Sequence, residues 1–121
     1  MRVLVADDHA VMRQSLIQAL ESEPEMEVVG EASDGGAAVQ LAKQLQPDVI
    51  LMDIVMPQLN GIEATRRITE ECPQVRVIGL SVHDSRVYAD GMRRAGARAY
   101  VLKDCDMEDL LREIQAASDG L

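Results

Sequence analysis

The chain has 121 residues, and its 12 Lys and Arg against 21 Asp and Glu give a formal net charge of −9. This length suits one domain that can bury its own core. The negative balance repels the phosphate backbone of nucleic acids, so we expect no direct nucleic-acid binding. The aromatic residues are two tyrosines, which exclude a platform for stacking bases or a flavin ring.

No stretch resembles a signal peptide or a membrane-spanning helix, because no apolar run approaches the length that a bilayer requires. We therefore expect a cytoplasmic protein with no membrane partner. Cys72 and Cys105 lack the spacing of a zinc site or a disulfide framework, so we expect two reduced thiols.

Short apolar runs alternate with helical patterns along the whole chain. The run at 2–6 predicts a first strand that ends on the acidic pair Asp7 and Asp8. Apolar residues at helical spacing then predict a helix from 10 to about 21, and Asp8 is placed to cap it. Further strands are predicted at 27–32, 49–52, 75–80 and 98–102, each followed by a helical pattern, with a turn at 33–36 before the second helix.

The central run, Val49 to Met52, is bounded by Pro47 and Pro57. It is too short for a buried helix and is typical of a strand covered on both faces. Asp53 follows at its C-terminal end. The helix at about 85–95 contains Gly91, which lowers its intrinsic stability, and Gly96 is placed to end it.

Five strands that alternate with five helices predict a doubly wound α/β domain with a five-stranded parallel sheet. If the strand order is the flavodoxin-like 2-1-3-4-5, ligands bind at the carboxyl edge between the first and third strands. Those strands carry Asp7, Asp8 and Asp53. The fourth strand ends at Ser81 and the fifth at Lys103.

Three carboxylates a few ångströms apart cannot all stay ionised without a cation. Either one is protonated or a metal ion lies among them. Oxygen ligands favour Mg²⁺, with Mn²⁺ as an alternative. His9 and His83 carry little weight as ligands, because imidazole suits softer ions and the two are not paired at helical spacing.

A carboxylate beside Mg²⁺, with an ammonium and a hydroxyl aimed at the same point, can accept a phosphoryl group as an aspartyl phosphate. Taken singly, each residue has a plain structural role: Asp8 as a cap, Ser81 as a loop residue and Lys103 as a surface charge. Their combination at four strand ends favours a shared site.

These motifs resemble the receiver domain of bacterial two-component response regulators over essentially the whole chain. The matching features are the acidic pair Asp7 and Asp8, the Asp-x-x-Met-Pro motif at 53–57, Ser81, and Tyr100 before Lys103. The resemblance implies that Asp53 is the phosphoacceptor.

The resemblance also implies the roles of the remaining residues. Asp7 through a water, Asp8, Asp53 and the backbone carbonyl of Val55 would hold Mg²⁺. Ser81 and Lys103 would contact the phosphoryl oxygens, and Tyr100 would be the aromatic switch residue. The implied partners are a cognate sensor histidine kinase and, on phosphorylation, a second copy of the chain.

Departures from the general pattern indicate a subfamily. Asp104 follows Lys103 where many receivers have proline, and Ala99 precedes Tyr100 where some winged-helix regulators have an acidic residue. The sequence is more similar to the NarL/FixJ type, whose members usually carry a C-terminal helix-turn-helix DNA-binding domain. We therefore expect a receiver domain at 1–117 and, at 118–121, the start of a linker to such an output domain.

Other functions fit the sequence less well. The chain would phosphorylate and dephosphorylate itself but would not act as an enzyme on an external metabolite. An aspartyl-phosphate phosphatase of the haloacid dehalogenase type would have a second Asp where this chain has Val55. This chain lacks the phosphate-binding loop that a flavodoxin-like redox carrier needs. A stand-alone receiver that acts by protein–protein interaction is the remaining alternative.

Overall fold

The computed structural model describes residues 1–56, 59–82 and 86–118. The strands are β1 (Arg2–Ala6), β2 (Glu27–Ala32), β3 (Val49–Asp53), β4 (Arg76–Ser81) and β5 (Ala99–Leu102). The helices are α1 (Ala10–Glu21), α2 (Gly35–Leu45), α3 (Gly61–Glu71), α4 (Arg86–Ala95) and α5 (Met107–Ser118). Pro57, His83, Ser85 and the predicted linker residues 119–121 lie outside the described residues.

The five strands form one parallel sheet in the order β2-β1-β3-β4-β5. This confirms the predicted doubly wound fold. The connections add β2 on one side of β1 and β3, β4 and β5 on the other, so the strand order switches between β1 and β3, which are hydrogen-bonded parallel neighbours. The crevice predicted from the topology therefore lies beyond the carboxyl ends of these two strands.

Two apolar layers cover the sheet, because alternate residues of each strand point to opposite faces. In β1, Leu4 and Ala6 join the layer made with α2, α3 and α4, whereas Val3 and Val5 join the layer made with α1 and α5. β3 is buried along its whole length, as its unbroken apolar run predicts. Both faces of the central strands are therefore buried from solvent.

β4 is shifted by one residue from its predicted range, β5 starts one residue later than predicted, and β3 extends one residue further, to Asp53. The second helix begins earlier than predicted, at Gly35, so the last half of the predicted turn is helical. The carboxylate of Asp34 accepts a hydrogen bond from the backbone N–H of Ala37 at 2.8 Å, and this cap offsets the weak helix propensity of the two glycines.

The predicted cap of α1 is wrong. The N-cap residue is His9 rather than Asp8, and within the described residues the His9 side chain makes no capping hydrogen bond. The Asp8 carboxylate instead faces the ring of His9, with Asp8 Oδ1 and His9 Nδ1 separated by 3.1 Å. The Asp8 side chain thus lies with Asp7, His9 and Asp53 at the carboxyl end of the sheet.

Gly96 ends α4 as predicted. Its φ of 113° lies in the region that favours glycine, and an added Cβ would lie 2.6 Å from the methyl group of Thr69. Within the described ranges, no helix has the length and apolar character needed to cross a membrane.

Candidate functional site

The carboxyl ends of four strands bring the predicted site residues to one edge of the sheet. Asp7 directly follows β1, Asp53 is the last residue of β3, Ser81 is the last residue of β4, and Lys103 follows β5. The parallel register places Asp53 beside Leu80 of β4 and Ser81 beside Leu102 of β5. The sheet itself therefore assembles residues that are distant in sequence.

Lys103 is the cation of this cluster. Its Nζ atom donates a hydrogen bond to Asp7 Oδ2 at 2.7 Å and lies 3.4 Å from Asp53 Oδ2. The Lys103 side chain is only 5% exposed. A buried ammonium is stable only with such partners, so the interpretation of Lys103 as a solvated surface charge is wrong.

Asp7 is fully buried and is held on both carboxylate oxygens. Besides the bond from Lys103, Asp7 Oδ1 accepts a hydrogen bond from the backbone N–H of His9 at 2.9 Å. Burial by itself raises the pKa of Asp7, but the Lys103 ammonium and the His9 backbone N–H outweigh it and hold that pKa below its ordinary value. Asp7 is therefore an anion in the folded protein.

Asp53 has the opposite electrostatic environment. Burial, with a smaller contribution from the neighbouring Asp7 carboxylate, raises the pKa of Asp53 to about 6, against the attraction of Lys103. Asp53 is 4% exposed and shares the Lys103 ammonium with Asp7, at 3.4 Å against 2.7 Å for Asp7. A second cation would therefore stabilise the ionised form of Asp53 more than that of Asp7.

Two carboxylate oxygens support a metal site at this position. Asp8 Oδ1 and Asp53 Oδ2 are buried and accept no hydrogen bond from the described part of the chain. Buried acceptors in that state are costly unless a cation or a water satisfies them. Three carboxylates face one ammonium, and oxygen donors suit Mg²⁺ or Mn²⁺, so these residues fit a hard divalent ion.

Gly61 fixes the backbone at Asp53. The first residue of α3 packs so closely that an added Cβ would overlap the carbonyl oxygen of Asp53 and lie 2.8 Å from the Cα of Ile54. The Gly61 N–H also donates to the Ile54 carbonyl at 2.7 Å. The glycine that follows the Asp53 motif is thus required by close approach of two backbones.

Ser81, Val55 and Tyr100 occupy different surroundings. Ser81 is 2% exposed, and Val55, two residues beyond Asp53, has an exposed side chain. Tyr100 is half-buried on the α4 side of the sheet, where its ring lies near Gly79 and the buried Met92. The roles of Ser81, of Tyr100 and of the Val55 carbonyl stay predictions.

His9 is the member of the cluster to which the sequence analysis gave little weight. Its Nδ1 lies 3.1 Å from Asp8 Oδ1, 3.3 Å from Asp7 Oδ1 and 4.0 Å from Asp53 Oδ2. The available signal was its position directly after Asp8.

This fold and this cluster define a class of protein. The family model described as the response regulator receiver domain matches residues 3–115. The chain belongs to the response regulator receiver domain family, as its motifs predicted.

Three comparisons place the chain within this family. It is 46% identical over 121 residues to the transcriptional regulatory protein LiaR of Bacillus subtilis, covering 98% of this chain and 56% of LiaR. The signal receiver domain of the response regulator NarL from Mycobacterium tuberculosis has a TM-score of 0.94 at 32% identity, covering 99% of this chain and 97% of that one. A CheX–CheY complex with BeF₃ and Mg²⁺ from Borrelia burgdorferi has a TM-score of 0.89 at 27% identity, covering 96% and 87%.

The curated relatives are longer proteins. The chain spans about half the length of those it matches first, between 50% and 56%. These relatives are named transcriptional regulatory proteins. Another relative is named NarL, which agrees with the predicted similarity to the NarL/FixJ type.

Proposed function

We propose that the chain is a phosphoacceptor domain that takes a phosphoryl group from a histidine kinase onto Asp53 and changes conformation in response. The observation that carries this proposal is the state of Asp53. It is buried, one of its oxygens accepts no hydrogen bond from the described residues, and the Lys103 ammonium lies 3.4 Å away. A nucleophilic oxygen that has a neighbouring cation and a lone pair not engaged in a hydrogen bond is suited to attack phosphorus.

The reaction follows from the positions of these side chains. An oxygen of ionised Asp53 forms the new bond to phosphorus, and the bond between phosphorus and the donor imidazole nitrogen breaks. Lys103, now between two anions, donates to a phosphoryl oxygen, and Ser81 offers its hydroxyl from the end of β4. Asp7 keeps Lys103 oriented while this happens, since their hydrogen bond is 2.7 Å long.

A divalent cation completes the charge balance. Asp8, Asp53, the carbonyl of Val55 and, through a water, Asp7 would hold Mg²⁺ or Mn²⁺, which would neutralise part of the phosphoryl charge. Support comes from the two buried oxygens without hydrogen bonds, on Asp8 and Asp53. The Mg²⁺ and BeF₃ named for the Borrelia burgdorferi CheY complex agree with such a site in a structural neighbour.

The conformational response would pass through β4 and β5. Drawing Ser81 toward the phosphoryl group changes the space under α4, and Tyr100 can turn into it. Two observations support this route: Tyr100 is only half-buried, and its ring already lies near Gly79, at the point where Met92 of α4 reaches the sheet.

In the whole protein, we infer that this change controls transcription through a helix-turn-helix output domain and promotes pairing of two copies. The support is the naming of the longer relatives as transcriptional regulatory proteins. The domain would act in the cytoplasm and turn over no external metabolite.

Intact-mass measurement tests the proposal. The chain is incubated with Mg²⁺ and acetyl phosphate, beside Asp53→Asn, a chelator control and the matched control Asp104→Asn, which alters an exposed aspartate next to Lys103. We expect one phosphoryl group on the wild type and on Asp104→Asn, and none on Asp53→Asn or with chelator. Absence of a mass gain from both acetyl phosphate and a phosphorylated histidine kinase would overturn the proposal in favour of an interaction domain without the switch.

A further inference from the structure

The imidazole of His9 lies at the rim of the acidic cluster. Its side chain is 68% exposed, yet its Nδ1 is directed inward, 3.1 Å from Asp8 Oδ1 and 3.3 Å from Asp7 Oδ1. When Nδ1 carries the ring proton, the contact with Asp7 is a hydrogen bond; when the proton is on Nε2, Nδ1 presents its lone pair to the cluster. The ring therefore has one nitrogen on the carboxylates and a surface open to solvent.

The backbone holds the ring in this position. The His9 N–H donates to Asp7 Oδ1 at 2.9 Å, and this bond ties the residue to the end of β1. His9 is the N-cap of α1, but within the described residues its side chain makes no capping hydrogen bond. The ring is therefore not needed to cap the helix. The turn between β1 and α1 thus presents Nδ1 to the cluster.

The spacing of the donor atoms matches a coordination shell. Six ligands at about 2.1 Å from a metal ion place adjacent donors about 3.0 Å apart and opposite donors about 4.2 Å apart. Nδ1 lies 3.1 Å from Asp8 Oδ1 and 4.0 Å from Asp53 Oδ2, close to these two spacings. One ligand atom from each of Asp7, Asp8, His9 and Asp53 falls within 4.8 Å of the others.

The carboxylates provide an independent sign of a missing ligand. The Asp53 side chain is 6% exposed, and its Oδ2 accepts no hydrogen bond from the described residues. Lys103 donates its hydrogen bond to Asp7 and lies 3.4 Å from this oxygen, so it pairs with Asp53 by charge without a hydrogen bond. A metal ion bound by both Asp53 and His9 would occupy the free position on this oxygen.

We propose that His9 is a nitrogen ligand of this cation site, through Nδ1, and that it shifts the preference of the site from Mg²⁺ toward first-row transition-metal ions. Imidazole binds such ions far better than it binds Mg²⁺, which prefers oxygen ligands and retains water. The tautomer required carries its proton on Nε2, where solvent can accept it.

A different role for the ring is that of a competitor, in which the imidazole takes the place of the metal ion. A group in that place would lie at similar distances from all the carboxylates. Nδ1 instead lies 0.9 Å farther from Asp53 Oδ2 than from Asp8 Oδ1, by 4.0 − 3.1. The ring is thus placed as one ligand at the edge of the metal's coordination shell, not at the position of the metal ion.

The test compares the binding of Co²⁺ and Mg²⁺ to the unphosphorylated chain, by titration calorimetry at one fixed pH. The variants are His9→Gln and the matched control Val11→Ala, an exposed residue in the first turn of α1. We expect His9→Gln to weaken Co²⁺ binding by about 10-fold or more while changing Mg²⁺ binding much less, because loss even of a group that supports a ligand typically costs that much. Val11→Ala should change neither.

Pulsed electron paramagnetic resonance of bound Mn²⁺ provides a direct readout. Protein labelled with ¹⁵N-histidine should show a coupling to a nitrogen ligand that disappears in His9→Gln. Three results would overturn the proposal: unchanged affinities, an equal fall for both ions, which indicates structural support only, or a rise for both, which indicates competition.

The inference rests on the cation site of the proposed phosphoacceptor, but the two can fail separately. All binding is measured without a phosphodonor. A chain that gains a phosphoryl group on Asp53 yet shows no effect of His9→Gln would overturn this inference alone. A chain that binds Co²⁺ through His9 yet takes no phosphoryl group would overturn the proposed function alone.

Discussion

Lys103 Nζ is hydrogen-bonded to Asp7 Oδ2 at 2.7 Å, and both side chains are almost completely buried, at 5% and 0% exposure. Asp53, the proposed phosphoacceptor, is left outside this pair at 3.4 Å from the ammonium. The lysine thus stabilises one carboxylate in the resting protein and is positioned to serve a second anion.

Asp53→Asn is expected to stabilise the metal-free protein near neutral pH. The native pKa of Asp53 is raised from 3.8 to about 6, so the carboxylate costs stability progressively as pH rises from about 3.8 to about 6 and by the full amount above that. The gain should be about 1–3 kcal/mol near neutral pH and should fall below about 1 kcal/mol near pH 4. Urea denaturation in chelator, followed by far-UV circular dichroism, measures it.

The matched control for this prediction is Asp104→Asn. Asp104 is exposed, so its substitution should change the free energy of unfolding by less than about 0.5 kcal/mol at either pH. The free energies of unfolding of the wild type and of Asp53→Asn should differ more near neutral pH than near pH 4. An equal difference at the two pH values would contradict the raised pKa of Asp53.

Mg²⁺ should stabilise the wild type, and the effect should grow as pH rises through about 6. The ion binds ionised carboxylates, so it competes with the proton on Asp53. At about 100 times its dissociation constant, the ion should add about 2.7 kcal/mol to the free energy of unfolding. Thermal denaturation with and without Mg²⁺ measures this, and an equal stabilisation of Asp53→Asn would argue that the ion binds elsewhere.

Lys103→Met should destabilise the protein by about 3–5 kcal/mol near neutral pH, because it leaves the buried Asp7 carboxylate without its cation. Asp7 has a lowered pKa, so its contribution to stability is present above 3.8 and is lost as pH falls through the native pKa. The loss caused by the substitution should therefore be smaller at acidic pH. Denaturant titrations at both pH values in chelator measure it.

The same variant tests the coupling to the switch. Lys103→Met should still bind Mg²⁺, since three carboxylates remain, but should no longer change conformation when Asp53 is phosphorylated. Nuclear magnetic resonance spectra of the backbone amides of α4 and β5, with and without acetyl phosphate, report this. Wild-type spectral changes in Lys103→Met would rule out the role of the lysine.

Gly61→Ala should destabilise the protein by about 1–3 kcal/mol, although alanine is the better helix former by about 1 kcal/mol. The new Cβ would overlap the Asp53 carbonyl oxygen, so either α3 or the phosphoacceptor must move. Phosphorylation should slow as a result. The control is Gly36→Ala in α2, where the nearest atom, Asp34 Oδ1, lies 3.3 Å from the new Cβ; an equal loss in this variant would contradict the explanation.

Much of the candidate site could be predicted because the information is local. Short apolar runs that end in Asp7, Asp53, Ser81 and Lys103 mark the carboxyl ends of four strands. Parallel strands reached by crossover helices bring those ends to one edge. The order of the sheet followed from the same alternation together with the family resemblance.

The caps show where local patterns stop being sufficient. Asp8 is a better N-cap than His9 by intrinsic preference, yet His9 takes the position. The N–H of His9 is engaged by Asp7, and the Asp8 carboxylate faces the cluster instead. A tertiary contact has overridden the local preference.

The sequence by itself determined which strands and helices form, and which residue types stand at the strand ends, because both depend on neighbours along the chain. Only the tertiary structure decided that Lys103 pairs with Asp7, that Asp53 has the raised pKa, and that His9 faces the carboxylates. The Lys103–Asp7 bond joins residues 96 positions apart. Pairing and pKa depend on burial and on distances of a few ångströms across such separations, and the packing of the whole sheet sets both.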